Sequence, residues 1–190
     1  IKSTKEALGD EPFGVGLIGF KTSPVYEDHV NIILEEKPPY VTVAGGDAEL
    51  SRRFDEAGLK TYLHAPTPHH AKSFLEEGAQ RLIFEGHEAG GHIGSLGSAL
   101  LWEQGVSAIL EVCEADSSRT PKGVLFAGGI AHFRTVLMAA IIAEPLVRKG
   151  IPVGIQLGTA YLSTKEIVDT KAAQASYRSK VIVGEQTLSF

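Results

Sequence analysis

The chain has 190 residues, of which 18 are Lys or Arg and 23 are Asp or Glu, so its formal net charge is −5. Hydrophobic residues make up 43% and charged residues 22%, a mixture typical of a folded globular chain, which excludes a disordered or collagen-like one. The acidic balance and the lack of a Lys/Arg-rich stripe argue against nucleic acid as a partner.

Other features of the whole sequence predict the cellular location and exclude some partners. The single cysteine, Cys113, excludes an internal disulfide framework and predicts a reducing, cytoplasmic location. No apolar run approaches the ~18–20 residues that a membrane-spanning helix needs, so no membrane partner is expected. The polar start at Ile1, without an initiator Met, leads us to expect a piece of a longer chain.

Six short apolar runs recur along the chain, each followed by turn residues. They lie at residues 13–18, 40–43, 61–64, 81–85, 123–126 and 153–157. Because they do not alternate cleanly between apolar and polar residues, they predict strands buried on both faces, as in a parallel sheet covered by helices.

Helical spacing predicts four helices in the gaps. They cover residues 30–36, 47–57, 67–77 and 131–143, and a continuation of the last one to residue 149, beyond Pro145, is left open. Asp47 and Pro68 fit the first positions of their helices, and Gly58 and Gly78 fit the positions after the last turn. The polar segment 114–121 is predicted to be an exposed loop.

The strand–helix units repeat every ~20–30 residues, which fits a doubly wound sheet or a (β/α)8 barrel. No G-x-G-x-x-G motif opens a helix after the first strand, because Gly14 and Gly16 lie inside that strand. The sequence therefore favours an α/β barrel, with residues 1–190 in a single domain.

The densest chemical signal is the segment 85–94, Glu-Gly-His-Glu-Ala-Gly-Gly-His-Ile-Gly, directly after a predicted strand. Glycines allow a backbone to approach a flat or phosphorylated ligand, and successive N–H groups in such a turn bind anions. A histidine in this segment can act as an acid or a base near neutral pH. The alternative is a surface loop with solvated His and Glu side chains.

The histidines raise the question of a metal. His87, Glu88 and His92 follow the order H-E-x-x-x-H, one residue longer than the zinc motif H-E-x-x-H, and two glycines interrupt any helix there. We therefore predict no metal site. His64, at the end of a predicted strand, could equally face a pocket or be structural, and His132 is expected at the surface or as a helix cap.

Two further glycine turns follow the fifth and sixth predicted strands. The first contains Gly128 and Gly129, and the second contains Gly158 and Thr159, each before a predicted helical segment. Together they predict a phosphate cradle, because backbone N–H groups and helix N-termini attract phosphate and barrels commonly hold it after their last strands. Each turn alone could be no more than a tight connection.

Three segments resemble the nitronate monooxygenase family, formerly called 2-nitropropane dioxygenase, which includes bacterial flavin-dependent enoyl-acyl carrier protein reductases. They are 88–94 (E-A-G-G-H-I-G), 127–130 (A-G-G-I) and 156–162 (Q-L-G-T-A-Y-L), and the resemblance extends over almost the whole chain. Residues 142–150 and 95–103 are similar to relatives embedded in type I polyketide or polyunsaturated fatty acid synthases.

The resemblance implies an FMN-binding (β/α)8 TIM barrel in which the six predicted strands correspond to the third to eighth, so the barrel is incomplete. It implies that His92 is the catalytic base or substrate-orienting group. It also implies that the cofactor-binding residues are Gly90, Gly91, Gly128, Gly129, Gly158 and Thr159. Gly16 stands where simple members of the family usually have Asn. This departure weakens the expectation that the substrate is a nitronate.

These features predict an FMN-dependent oxidoreductase that oxidises a nitronate or reduces an enoyl thioester, and His92 would serve either reaction. The expected partners are a small-molecule or carrier-protein-bound acyl substrate, other domains of a larger synthase, and further copies of this chain in a homo-oligomer. The alternative is a non-catalytic barrel module of a polyketide or fatty acid synthase, which the missing strands favour. A phosphate-binding barrel without flavin is a third possibility.

Overall fold

A computed structural model describes residues 1–90 and 94–184. Its strands are β1 (Gly14–Ile18), β2 (Tyr40–Ala44), β3 (Lys60–His64), β4 (Arg81–Glu85), β5 (Gly123–Ala127) and β6 (Val153–Ile155). Its helices are α1 (Lys2–Leu8), α2 (Tyr26–Glu36), α3 (Ala48–Glu56), α4 (Pro68–Glu76), α5 (Ser98–Ala115), α6 (Phe133–Arg148), α7 (Lys165–Asp169) and α8 (Ala175–Val183). Short 3-10 helices cover His87–Ala89, Ser117–Arg119 and Thr159–Ser163.

The strands form one parallel sheet in which each strand pairs with the next along the chain, from β1 at one edge to β6 at the other. A doubly wound sheet reverses its strand order part-way, whereas a barrel keeps the sequential order. The order therefore confirms the prediction of a partial (β/α) barrel.

The sheet is curled about one face. Tyr62 on β3 reaches across β4 to β5, where a Cβ added to Gly123 would lie 2.9 Å from the Tyr62 hydroxyl oxygen. Since β3 and β5 are not neighbours, they approach this closely only on the concave side of a curved sheet. The concave face also carries Ile83 and Leu125. Leu125 lies two residues after Gly123 on β5, and Ile83 is its register partner on β4, so both point to the same side as Tyr62 and Gly123.

The main core lies between the convex face of the sheet and the helices. Most apolar strand residues that face the helices are at most 1% exposed, including Val41, Val43, Leu63, Leu82, Phe84, Val124 and Phe126. Phe54 of α3, Trp102 of α5 and Leu146 of α6 pack into the same cluster. Burying a large apolar side chain contributes about 1.5–3 kcal/mol, so this layer supplies most of the stability.

The concave face is open at both edges of the sheet. On β1, Gly14 and Gly16 are exposed and Ile18 is 56% exposed, while Gly154, the concave-face residue of β6, is partly exposed. Within residues 1–90 and 94–184 no further strand pairs with β1 or β6, as six strands of a barrel predict.

Several helix boundaries agree with the sequence pattern. The Asp47 side chain accepts a hydrogen bond from the Leu50 N–H at the start of α3, and the Thr67 side chain accepts one from the His70 N–H at the start of α4. The α6 helix continues past Pro145, which lies inside it.

Other boundaries differ from the prediction. The α2 helix begins at Tyr26 rather than at residue 30, and β6 ends at Ile155 rather than at residue 157. The α5 helix, with 18 residues, was not predicted. The segment 114–121 is largely exposed, as expected, but it contains the end of α5 and a 3-10 helix. In the described ranges, no helix has the length and apolar character needed to cross a membrane.

Candidate functional site

The three glycine-rich segments meet at the carboxyl edge of the sheet, because they follow the adjacent strands β4, β5 and β6. The Gly86 N–H donates to the carbonyl oxygen of Ala127 at 3.2 Å, which joins the first loop to the end of β5. The Gln156 N–H donates to the carbonyl oxygen of Phe126 at 2.9 Å, which joins the third loop to the same strand. The fold thus brings together the turns that the sequence singled out.

The loop after β4 is held down by Glu88. Its carboxylate accepts hydrogen bonds from the backbone N–H of Ser98, at 2.7 Å, and from the Ser98 hydroxyl. Ser98 is the first residue of α5, where N–H groups have no partner inside the helix, so Glu88 caps this helix. Burial pushes the pKa of Glu88 up, but the hydrogen bonds from Ser98 outweigh it and hold the pKa below its ordinary value of 4.5.

Two glycines leave room for Ser98 between the turns. A Cβ added to Gly86 would lie 2.2 Å from the Ser98 hydroxyl oxygen, and one added to Gly128 would lie 2.3 Å from the same atom. Gly128 also has φ +100°, a conformation that side chains disfavour. Gly128 is buried, so its visible role is to let the turns after β4 and β5 pack against the start of α5.

The remaining turn residues are exposed but differ in their surroundings, since a Cβ added to Gly129 would lie 3.1 Å from the Cβ of Glu88. Gly129 is exposed with φ +66°, and Gly158 and Thr159 are also exposed. A Cβ added to Gly158 would meet no atom within 4 Å. This surface fits a phosphate group, because bare backbone borders the open space above two adjacent strand ends.

The start of α6 lies two residues later than predicted, whereas a short 3-10 helix directly follows Gly158. The α6 helix begins at Phe133 and is capped by His132, whose Nδ1 accepts a hydrogen bond from the Thr135 N–H at 3.4 Å. The Thr135 hydroxyl oxygen in turn accepts from the N–H groups of Ala131 and His132. These donors are already used, so a phosphate at Gly129 would depend on the N–H groups of the turn itself. His132 is a helix cap, as predicted.

The segment thought to contact a flavin ring is described only in part. Gly90 has φ +76° and its N–H donates to the His87 carbonyl oxygen at 3.1 Å. Gly91 and His92 lie outside the described residues, so their roles stay predictions. Among residues 1–90 and 94–184, no group of three His, Cys, Asp or Glu side chains is placed to hold a metal ion.

Sequence reasoning missed a pair of side chains at the same edge. His64 and Glu85 are the last residues of β3 and β4, and His64 Nδ1 lies 2.9 Å from Glu85 Oε2. The side chains are 16% and 24% exposed. The sequence left His64 open between a pocket and a structural role and gave Glu85 no role of its own. The pair could have been predicted from the position of each residue at the end of one of two neighbouring predicted strands.

A sequence model of the nitronate monooxygenase family matches residues 3–185. The chain belongs to the nitronate monooxygenase family. The Mycobacterium tuberculosis protein Rv1533, whose name describes a monooxygenase, is 29% identical over 102 residues, which cover 54% of this chain and 22% of that protein.

Solved structures of nitronate monooxygenase relatives share the fold. An M276A mutant of FabK from Thermotoga maritima superposes with a TM-score of 0.74 at 27% identity, covering 96% of this chain and 54% of that one. FabK from the same organism gives a TM-score of 0.69 at 29% identity over 87% of this chain and 47% of that one. Nitroalkane oxidase from Streptomyces ansochromogenes, at 22% identity and a TM-score of 0.67, shows the fold alone over 87% of this chain and 54% of that one. The chain spans about half the length of these proteins or less.

Proposed function

We propose that the chain forms the flavin-binding part of an FMN-dependent oxidoreductase of the nitronate monooxygenase family. The observation that carries the proposal is the open space beside Gly158, together with the exposure of Thr159 and of Gly129 at the end of the adjacent strand. A dinucleotide would call for a G-x-G-x-x-G turn between a strand and a helix. The glycines with that spacing, Gly14, Gly16 and Gly19, lie on and directly after β1, and α2 begins only at Tyr26, so FMN fits better than FAD.

The chain's own residues would bind and orient the cofactor. The backbone N–H groups at Gly129 and Gly158 would hold the phosphate, with the Thr159 hydroxyl as a further donor. Glu88, by capping α5, would keep the loop after β4 in place beside the flavin. Bound FMN would supply the hydride transfer, and for a nitronate also the reaction with O₂.

Two reactions fit this family. The similarity to FabK, an enoyl reductase, at 27% and 29% identity supports the reduction of an enoyl thioester, whose acyl chain could arrive on a carrier protein. The family description supports the oxidation of a nitronate. In either reaction His92 would orient the substrate or hold the proton that is exchanged with it, in a cytoplasmic enzyme that acts alone or within a larger synthase.

The optical spectrum of the purified protein and the mass of any released ligand test the cofactor. We expect a yellow protein that releases FMN after denaturation. Release of FAD or of a nicotinamide nucleotide would contradict the proposal. A folded protein that stays colourless after incubation with FMN would instead favour the non-catalytic module.

The reaction is tested on the FMN-loaded protein with two assays. One follows oxidation of a nicotinamide nucleotide in the presence of a 2-enoyl thioester, and the other follows O₂ consumption with a nitronate. His92→Ala should lower turnover in the productive assay by about 10²–10⁴-fold with flavin still bound, because acid–base groups contribute on that scale. The matched variant His87→Ala should change turnover little, and equal losses in the two variants would rule out the role of His92.

A further inference from the structure

The concave face of the sheet carries four charged side chains on its described strands. Two lie at the amino end and have partners of their own. Lys60 lies 5.1 Å from the centre of the Tyr40 ring, and Arg81 lies 3.1 Å from a carboxylate oxygen of Asp55. The other two, His64 and Glu85, lie at the carboxyl end, on the same edge as the glycine turns.

The position of Glu85 places the pair beside the proposed flavin site. Glu85 directly precedes Gly86, and its register partner on β5 is Ala127, which directly precedes Gly128. His64 lies on the neighbouring strand β3. Its register partner on β4 is Ile83, two residues before Glu85. The pair therefore stands on the concave face where the first two glycine turns begin.

The contact with Glu85 determines how His64 presents its ring. With Nδ1 directed at the carboxylate, the proton on that nitrogen is donated to Glu85, and Nε2 is the ring nitrogen left to meet a ligand. Among the described residues, His64 Nε2 has no hydrogen-bond partner. In the doubly protonated ring Nε2 also carries a proton, which it can donate to an anionic oxygen while Nδ1 donates to Glu85.

We propose that His64, positioned by Glu85, binds the negatively charged oxygen of the substrate beside the flavin. The ligand class is a planar oxyanion, either a nitronate oxygen or the thioester carbonyl oxygen as charge develops on it. The inference rests on the proposed function, since it uses the flavin site to place the substrate. In it, Glu85 is a positioning residue and His64 the residue that contacts the substrate.

Nitrate is a suitable probe, because it has the planar O–N–O group of a nitronate and undergoes no reaction. In FMN-loaded protein, nitrate should perturb the flavin absorbance with saturation, and it should shift the ring ¹⁵N signals of His64. His64→Ala should weaken nitrate binding by at least about tenfold while leaving FMN bound, since a charge-assisted hydrogen bond is lost. Glu85→Gln should weaken it by a smaller factor and change the ¹⁵N pattern of His64, because a neutral amide no longer fixes the ring.

The matched control is His29→Ala, an exposed position on α2, which should leave nitrate binding unchanged. Absence of saturable nitrate binding in the unsubstituted protein, or equal affinity in the His64→Ala protein, would overturn the inference while the flavin site stands. Failure to bind FMN in any variant, the unsubstituted protein included, would instead contradict the proposed function.

Discussion

At the residue scale, Glu88 links the glycine loop to the helix that follows it. Its pKa is lowered in the folded protein, so its contribution to stability is present above its unfolded value of 4.5 and is lost as the pH falls through the lower folded value. Glu88→Gln should therefore lower the free energy of unfolding by about 1 kcal/mol at pH 7, the usual scale of a lost cap, and by less near pH 4.

Urea unfolding at the two pH values measures this difference. Glu103→Gln, at an exposed position on α5, is the matched control and should show no such change. A loss that is the same at both pH values would mean that the charge of Glu88 is not what caps the helix.

Gly128 and Gly158 should respond differently to substitution, although the sequence presents both as members of glycine turns. Gly158→Val places its side chain in open space, so it should leave the melting temperature nearly unchanged and weaken FMN binding at least tenfold. Gly128→Ala should instead destabilise the fold by about 1–3 kcal/mol, because its Cβ would overlap the Ser98 hydroxyl and its φ is +100°.

Thermal melting and fluorescence titration with FMN separate the two effects. Ala140→Val, at an exposed position on α6, controls for the added bulk of valine. Full FMN affinity in the Gly158→Val protein would remove this turn from the cofactor site.

Whether the sequence predicts a contact between two residues depends on how far apart they lie along the chain. Caps such as Asp47 and His132 could be predicted because their partners lie three residues away. The Glu88–Ser98 contact spans ten residues, so no local pattern predicts it. The His64–Glu85 contact depends on the register between two strands, which the sequence does not specify.

At the scale of elements, α5 connects the two strand ends that carry the site. The indole N–H of Trp102 donates to the carbonyl oxygens of Phe84, at 3.3 Å, and Ala127, at 3.1 Å. Trp102→Phe keeps an aromatic ring against Phe126 but removes this donor. The cost should be about 1 kcal/mol, the usual contribution of a hydrogen bond, because the Ala127 carbonyl oxygen still accepts from the Gly86 N–H.

Denaturant unfolding gives the size of the loss, and hydrogen exchange shows where it occurs. Faster exchange should be confined to the ends of β4 and β5 and the turns that follow them. An unchanged unfolding midpoint would show that the hydrogen bonds of the indole N–H do not contribute to stability. Leu110→Ala, at a half-buried position of α5, serves as a comparison for loss of packing away from the strand ends.

The strands were easier to predict than α5 for a physical reason. Each strand is a short apolar run between turn residues, which is a local pattern. In α5 the apolar residues are spread around the helix, and Gly105 in its middle suggests a break. That glycine is needed because a Cβ there would lie 2.5 Å from the Phe84 ring, a tertiary contact that only the folded chain reveals.

At the scale of the whole molecule, the open concave face and the two strand edges favour association. Ile18, on the edge strand β1, is 56% exposed, and natural edges often carry a charge that prevents pairing. The 190-residue chain should therefore self-associate as its concentration rises, and Ile18→Lys should shift it toward the monomer without lowering the unfolding midpoint. Sedimentation velocity over a range of concentrations measures both proteins. A chain that stays monomeric throughout, with or without the substitution, would contradict this expectation.

Trp102 is the chain's single tryptophan, so the fluorescence of the whole protein above the tyrosine background comes from one place. That place is fully buried, and its indole is fixed to the carbonyl ends of the strands that lead into two of the glycine turns. A flavin seated above those turns would accept excitation energy from the indole at short range and quench its emission. Quenching of this emission would therefore report binding of the proposed cofactor without a label.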